Sequence, residues 1–245
     1  MSATLRQSVV ECVLELVFDN PGRRNALSLD LLAALAGRLA AARSEDLSGV
    51  VLRGAGDAFS GGVDLANLSG TIDDLTVDDT IEKVVAVIAD LPMPVIAAVE
   101  GPCVGGALDL ALACDGIVAG EDAFFEIPAA RLGLLYNPTA IGRMYGRVGG
   151  AVLRRLLLLG ERLDAAASQA AGLSSAMVAS GDAAAAAHRL VRRAAGGRSP
   201  AVAATKGVLA AIEDGSYHAN HWQAVRREIL ASPERRAAVA AAKAR

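Results

Sequence analysis

Apolar residues recur in two rhythms in this sequence, and the change from one to the other marks the elements. Residues 9–18 are dense in Val, Leu and Phe and read as one strand. Asp19, Asn20, Pro21 and Gly22 follow as a strong turn signal. Ser28 stands where a helix N-cap belongs, and leucines and alanines recur at helical spacing over 31–42. Residues 49–53 read as a short buried strand, 54–57 as a loop and 80–89 as a second amphipathic helix. A buried strand over 94–99 leads through Gly101 and Pro102 into a helix over 105–113 and a strand over 116–119. From about Gly149 the spacing is mainly helical, with 152–160, 164–172, 182–195 and 200–213 as the segments. Gly196, Gly197, Arg198, Ser199 and Pro200 form a hinge-like break. No internal repeat is visible. The alternation of strand and helix predicts an α/β fold with helices covering the sheets.

Composition narrows the function classes. The chain has 245 residues and is 53% hydrophobic, enough to bury a sizeable core as one large domain or two small ones. Net charge is −3 with the signs mixed, so no basic stripe is expected to hold a nucleic acid. Pro92, Pro94 and Glu100 interrupt the most apolar region, so no membrane span is expected. Cys12, Cys103 and Cys114 are odd in number and lack metal-ligand spacing. With no secretory leader, they fit a reduced, cytoplasmic setting. His218 and His221 have helical spacing suited to a metal, but no third ligand is evident, and no metal is expected.

Two segments carry candidate chemistry. In 58–65, Gly61 and Gly62 let the backbone approach a ligand closely, and an outward N–H at Val63 could donate to a ligand oxygen. Taken alone, this is also what an ordinary Gly-Gly loop looks like. In 99–109 a buried strand turns into a helix whose first N–H groups are unpaired and sit at a positive dipole end. Gly105 and Gly106 present no Cβ, and Asp109 shares a helix face with Gly106. Asp109 either serves beside the N–H donor or only complements the helix dipole.

In this order and spacing the segments resemble the crotonase family, the enoyl-CoA hydratases and isomerases. Asn20-Pro21 with Arg24-Asn25-Ala26-Leu27 looks like the family's opening signature. The 58–65 loop looks like its first oxyanion loop, and 94–101 leads into the second. Ala113-Cys114-Asp115, Ala123-Phe124-Phe125, the 158–165 segment, Ala170-Ala171-Gly172-Leu173 and Ser199-Pro200 complete the ordered set. The resemblance implies a ββα superhelix over 1–195 and a C-terminal helical trimerisation region over 196–245, in trimers or paired trimers. It implies an acyl-CoA thioester as substrate, in fatty acid metabolism, with coenzyme A entering only as part of that substrate and no other cofactor. CoA contacts would come from Arg23, Arg24, Ala26, Leu27, Gly61, Asp64 and Leu65. The oxyanion donors would be the N–H groups of Val63 and Gly106, a contribution of roughly 2.7–4 kcal/mol per donor.

The chain departs from the hydratase pattern at the acid–base pair. Hydratases of the family hold one water between two glutamates. One position falls at Asp109, a methylene shorter, and the other at Ala129, which cannot transfer a proton. General acid–base help is worth roughly 10²- to 10⁴-fold per group, so efficient hydration is not expected. Dienoyl-CoA isomerases of the family use a carboxylate at the position of Asn137, neutral here. Glu126 either enters the pocket from a strand end or is an exposed strand-end charge. Tyr136 either donates a hydrogen bond or packs. Ala129, Tyr136 and Asn137 would line the acyl pocket. The surviving carboxylate favours an enzyme using Asp109 alone or with Glu126. The alternative is a non-catalytic acyl-CoA binder. A Clp-type protease, of the same fold superfamily, would need a histidine near the core site, and His188, His218 and His221 all lie in the last third of the chain.

Overall fold

A computed structural model describes residues 3–195 and 199–244, with nothing described for the Ala195 side chain. The expected hinge therefore lies largely outside the described residues. The first strand is a hairpin, not a single run: β1 (Thr4–Val10) pairs antiparallel with β2 (Val13–Asp19). The turn is Glu11-Cys12, both at positive φ (50° and 61°). That geometry usually advertises itself through Asn or Gly, and neither is present.

From β2 the main sheet grows in parallel through β3 (Gly49–Gly54), β4 (Val95–Val99), β6 (Gly116–Gly120) and β9 (Ala176–Val178). A second sheet joins β5 (Pro102–Val104), β7 (Phe124–Glu126) and β8 (Leu163–Asp164). Period-2 alternation divides the main sheet's side chains between two buried faces. Leu14, Leu16, Val50, Leu52, Val95 and Ala97 enter the main core, beneath α1 (Leu29–Ala42), α2 (Leu75–Asp90) and α3 (Gly106–Ala113). Val13, Val51, Ile96, Ala98 and Val118 face the other way, against α6 (Ala183–Ala195). Ser28 caps α1, accepting from the Leu31 N–H at 3.2 Å.

Two further expectations need correction. The second helix begins at Leu75, five residues before Thr80, because Asp74 and Thr71 organise a 3₁₀ turn that feeds it. The expected helix over 152–160 is instead the end of α4 (Pro138–Leu153) followed by a π-helical turn, Arg154–Leu158. Gly149, at φ +73°, kinks α4 and hides its earlier half from a periodicity search. The short strands β8 and β9 and the helices α8 and α9 complete the chain beyond what spacing indicated. Asp164 caps the short α5 (Ala165–Ala170).

The C-terminal helices are α7 (Pro200–Glu213), α8 (Ala219–Ala231) and α9 (Pro233–Lys243). Lys206 Nζ ties α7 to the core through Asp115 Oδ2 at 2.8 Å and the Met93 carbonyl at 3.3 Å. Neither α8 nor α9 buries a residue, while Leu209, Ile212 and Leu230 are more than half exposed. Among the described residues no helix is long and apolar enough to cross a membrane.

One buried side chain ties the strand–helix connection to its neighbour. Asn25 adopts φ +54°, and its Oδ1 accepts from the Asn20 N–H at 3.1 Å. Its Nδ2 donates to the carbonyls of Ala55 (2.8 Å) and Ala58 (2.7 Å). Left-handed backbone and local hydrogen bonding both favour asparagine here. Asn25→Ala strands buried backbone groups and should lower stability by about 2–3 kcal/mol in urea unfolding. A change below about 0.5 kcal/mol, the range of neutral surface substitutions, would refute that role.

Candidate active site

Backbone pairing brings the two glycine-rich loops together. Leu27 N–H donates to the Gly62 carbonyl at 2.8 Å, and Asp64 N–H donates to the Leu27 carbonyl at 3.0 Å. Leu27 thus engages both neighbours of Val63 and leaves the Val63 N–H facing away. Ser60 accepts from Val104 N–H and donates to the Pro102 carbonyl, joining the first loop to β5. Gly62 sits at φ +96°, and a Cβ there would lie 2.7 Å from the Val104 carbonyl oxygen, so only glycine fits.

Gly106 opens α3, where its N–H has no intrahelical acceptor. A Cβ on Gly106 would stand 3.3 Å from Val63 Cγ2, which places the two positions side by side. Among the described residues no acceptor faces the N–H of Val63 or of Gly106. Gly105, at φ +57°, donates to the Glu126 carbonyl at 2.8 Å and so fixes where the helix begins.

Asp109 lies one turn into α3 and is buried. Its Oδ1 accepts from Arg143 Nη2 at 2.8 Å, and Arg143 also forks onto both oxygens of Glu82 at 3.1 Å. Burial pushes the Asp109 carboxyl above the usual aspartate value, and Arg143 opposes that rise. Tyr136 is a partly exposed residue with a desolvated hydroxyl. Burial first, and then the Asp109 charge, hold the phenol well above its ordinary range.

A hollow of about 380 Å³ is walled by Ala129, Leu134, Tyr136, Ile141, Leu153 and Leu157 among others, and it connects to Asp109 through Tyr136, whose phenol feels the Asp109 charge. Ala129 and Tyr136 thus share one wall. Asn137 instead caps α4, its Oδ1 accepting from the Thr139 and Ala140 N–H groups.

Glu126 is buried at the end of β7 and held by two arginines. Arg162 reaches its Oε2 through Nε and Nη2 at 3.1 and 3.0 Å and stacks on Phe124, and Arg131 pairs with Oε1. The exposed strand-end charge is thereby excluded: Glu126 is a buried carboxylate paired with two exposed arginines.

Around the proposed CoA segment, Arg23 Nη1 pairs with Asp64 Oδ1 at 2.8 Å. The Arg24 carbonyl accepts from Gly61 N–H at 2.8 Å. Ala26 and Leu27 are buried, and Leu65 is exposed. His188 lies far from these loops, on the α6 face, where Nε2 meets Glu15 Oε2 at 3.0 Å. Among the described residues no group of three or more His, Cys, Asp or Glu is placed to hold a metal.

Sequence reasoning missed Arg143 and Glu82. They are 61 residues apart, and no local spacing announces that they meet at Asp109. The available signal was a basic residue, Arg143, next to Met144 and one turn from Ala140, both of which α4 buries.

Comparisons with known proteins name a family. The family model described as enoyl-CoA hydratase/isomerase matches residues 9–230. A Mycobacterium tuberculosis protein named "probable enoyl-CoA hydratase echA6" is 36% identical over 165 residues, 67% of this chain and 67% of that one. The peroxisomal Δ(3,5)-Δ(2,4)-dienoyl-CoA isomerase of Arabidopsis thaliana is 29% identical over 89% of this chain and 86% of its own. Among solved structures, an enoyl-CoA hydratase/carnithine racemase from Magnetospirillum magneticum superposes with a TM-score of 0.89 at 26% identity, over 98% of this chain and 92% of that one. An enoyl-CoA hydratase/isomerase family protein from Hyphomonas neptunium gives 0.87 at 30% identity, over 93% and 90%. The fold is crotonase-like, and the chain belongs to the enoyl-CoA hydratase/isomerase family.

Proposed function

We propose that this chain binds an acyl-CoA thioester, stabilises its enolate with the N–H groups of Val63 and Gly106, and moves the α-proton with Asp109 as base. The observation that carries this reading is the pair of adjacent N–H groups without acceptors, set beside a buried carboxylate. Donors fixed where charge develops lower the barrier without reorganising. Asp109 Oδ1 is held by Arg143, and Oδ2 makes no hydrogen bond among the described residues, which leaves it for a proton. A carboxyl raised by burial is also a stronger base than a solvated one. CoA itself would lie along 23–27 and 61–65, with the acyl chain toward Ala129 and Tyr136.

Two features favour a second reading, a non-catalytic acyl-CoA binder. Ala129 removes one of the two hydratase carboxylates, and Arg143 draws negative charge from the other. Exchange of the thioester α-protons in deuterated water, followed by NMR with an acyl-CoA that binds, separates the readings. Exchange lowered roughly 10²- to 10⁴-fold in Asp109→Asn supports the enzyme. Binding without exchange supports the binder.

The pH dependence follows from the direction of the Asp109 shift. The base must be ionised, so exchange should rise with pH through a midpoint above the ordinary aspartate value of about 3.9. For stability the sign is opposite: the protonated form is favoured in the fold, so this group's contribution is present at low pH and lost as pH rises through its folded-state value. An exchange midpoint at or below about 3.9 would contradict the placement.

Hydration of a 2-enoyl-CoA should be very slow. Asp109 is a methylene short, and Glu126, already held by Arg131 and Arg162, offers no rescue. Ala129→Glu, alone or with Asp109→Glu, should gain hydration, and robust turnover by the wild type would defeat this assignment.

The same reading takes the apolar faces of α7 and α8 as covered by further copies of the chain, in a trimer or hexamer. Sedimentation at micromolar concentration should show that mass, and a monomer would reject it.

A further inference from the structure

We infer that the acyl hollow selects a chain ending in a second carboxylate, and that Arg154 is the residue that recognises it. This inference rests on the acyl-CoA reading and names the class of acyl group. Six arginines lie on or near this side of the molecule between residues 131 and 162. Arg131 and Arg162 pair with Glu126, Arg143 with Glu82 and Asp109, Arg147 with Glu213, and Arg155 with Glu161. No carboxylate pairs with Arg154 among the described residues, and Arg154 lines the hollow.

Its direction is set by the backbone. A Cβ built on Gly150 would lie 2.8 Å from Arg154 Nη1 and 2.8 Å from Tyr145 Cε2. The guanidinium therefore folds back along its own helix, four residues toward the N-terminus, over a position that glycine leaves open. Tyr145 lines the same hollow and brings a phenol hydroxyl to that wall. The kink at Gly149 and the π-helical turn Arg154–Leu158 shape this stretch, and the turn adds Leu157 and Leu158 to the lining. Such irregular turns recur at functional sites because they re-aim side chains.

The rest of the named wall is Ala, Leu, Ile, Gly and the tyrosines Tyr136 and Tyr145, so Arg154 is the one charged residue lining the hollow. A plain alkyl tail would leave that guanidinium with no partner except water. A carboxylate at the far end of the chain would accept a forked pair of hydrogen bonds from it, with the Tyr145 hydroxyl as a further donor. The methylenes between the two ends would lie on the leucines. Arginine suits this task better than lysine, because its planar fork matches a carboxylate's two oxygens.

Isothermal titration with chain-matched pairs tests the inference: adipyl-CoA against hexanoyl-CoA, and suberyl-CoA against octanoyl-CoA. The wild type should bind the carboxylate-ended member of at least one pair about tenfold more tightly, the size expected of a charge-assisted hydrogen bond. Arg154→Gln should reduce that preference to within about twofold, and Arg154→Lys should keep part of it. Equal affinities within both pairs, or a preference that survives in Arg154→Gln, overturns the role of Arg154 while leaving the acyl-CoA reading in place. Failure of all four thioesters to bind removes the acyl-CoA reading and this inference with it.

Discussion

The site depends on a small set of main-chain hydrogen bonds that fasten two glycine-rich loops to each other. Leu27 bonds on either side of Val63, and Ser60 bonds on either side of Cys103. A parallel bridge satisfies alternate groups, so the residue between two bonded neighbours keeps its own N–H free. That is how Val63 comes to have a donor directed away from the protein's own ladder. Glycine at 62 and 106 is a consequence of the same fastening, since a side chain at either position would strike the facing strand or Ile81. Two side chains reinforce this backbone fastening: the Asn25 amide donates to the Ala58 carbonyl, and Ser60 Oγ accepts from the Gly62 N–H.

The two-faced sheet explains why so few polar groups are buried. α6 covers one face and α1 to α3 the other, so apolar strand residues of β2, β3, β4 and β6 are buried on both sides of the sheet. Several buried polar residues have specific partners: Asn20 and Asn25 hold the turn after β2, Ser168 and Ser174 bond each other, and Asp109 and Glu126 meet arginines. Glu126 has both oxygens paired with arginine, while the pairing at Asp109 engages Oδ1.

What could be read in advance divides along physical lines. The ordered motifs named the family, and the Ser28 cap, the α1 leucines and the buried β3 and β4 followed from periodicity and capping. The hairpin at Glu11-Cys12 was hidden because its positive φ angles fall on residues that do not favour them. The first half of α4 was hidden because Gly142, Gly146, Gly149 and Gly150 dilute its apolar stripe. Of the candidate site, the two glycine-rich loops were legible, because paired glycines stand out in the sequence. The Glu82–Arg143–Asp109 contact was not, because ion pairs between distant helices leave no trace in local spacing.

That contact also constrains the chemistry proposed here. Glu82, Arg143 and Asp109 form a cluster of two carboxylates and one guanidinium, with a net charge of −1. Creating a second anion next to it would carry a heavy desolvation and repulsion cost. Deprotonating a thioester by Asp109 creates none. The proton leaves carbon for the carboxylate, and the negative charge leaves the carboxylate for the thioester oxygen. The charge of the enclosed site is the same before and after, and only its address changes, from a cage of arginine to a pair of amide hydrogens. In that proposed step a single unit of negative charge passes from Asp109 to the thioester oxygen, and the protein's part would be to make the two ends of that short journey nearly equal in energy.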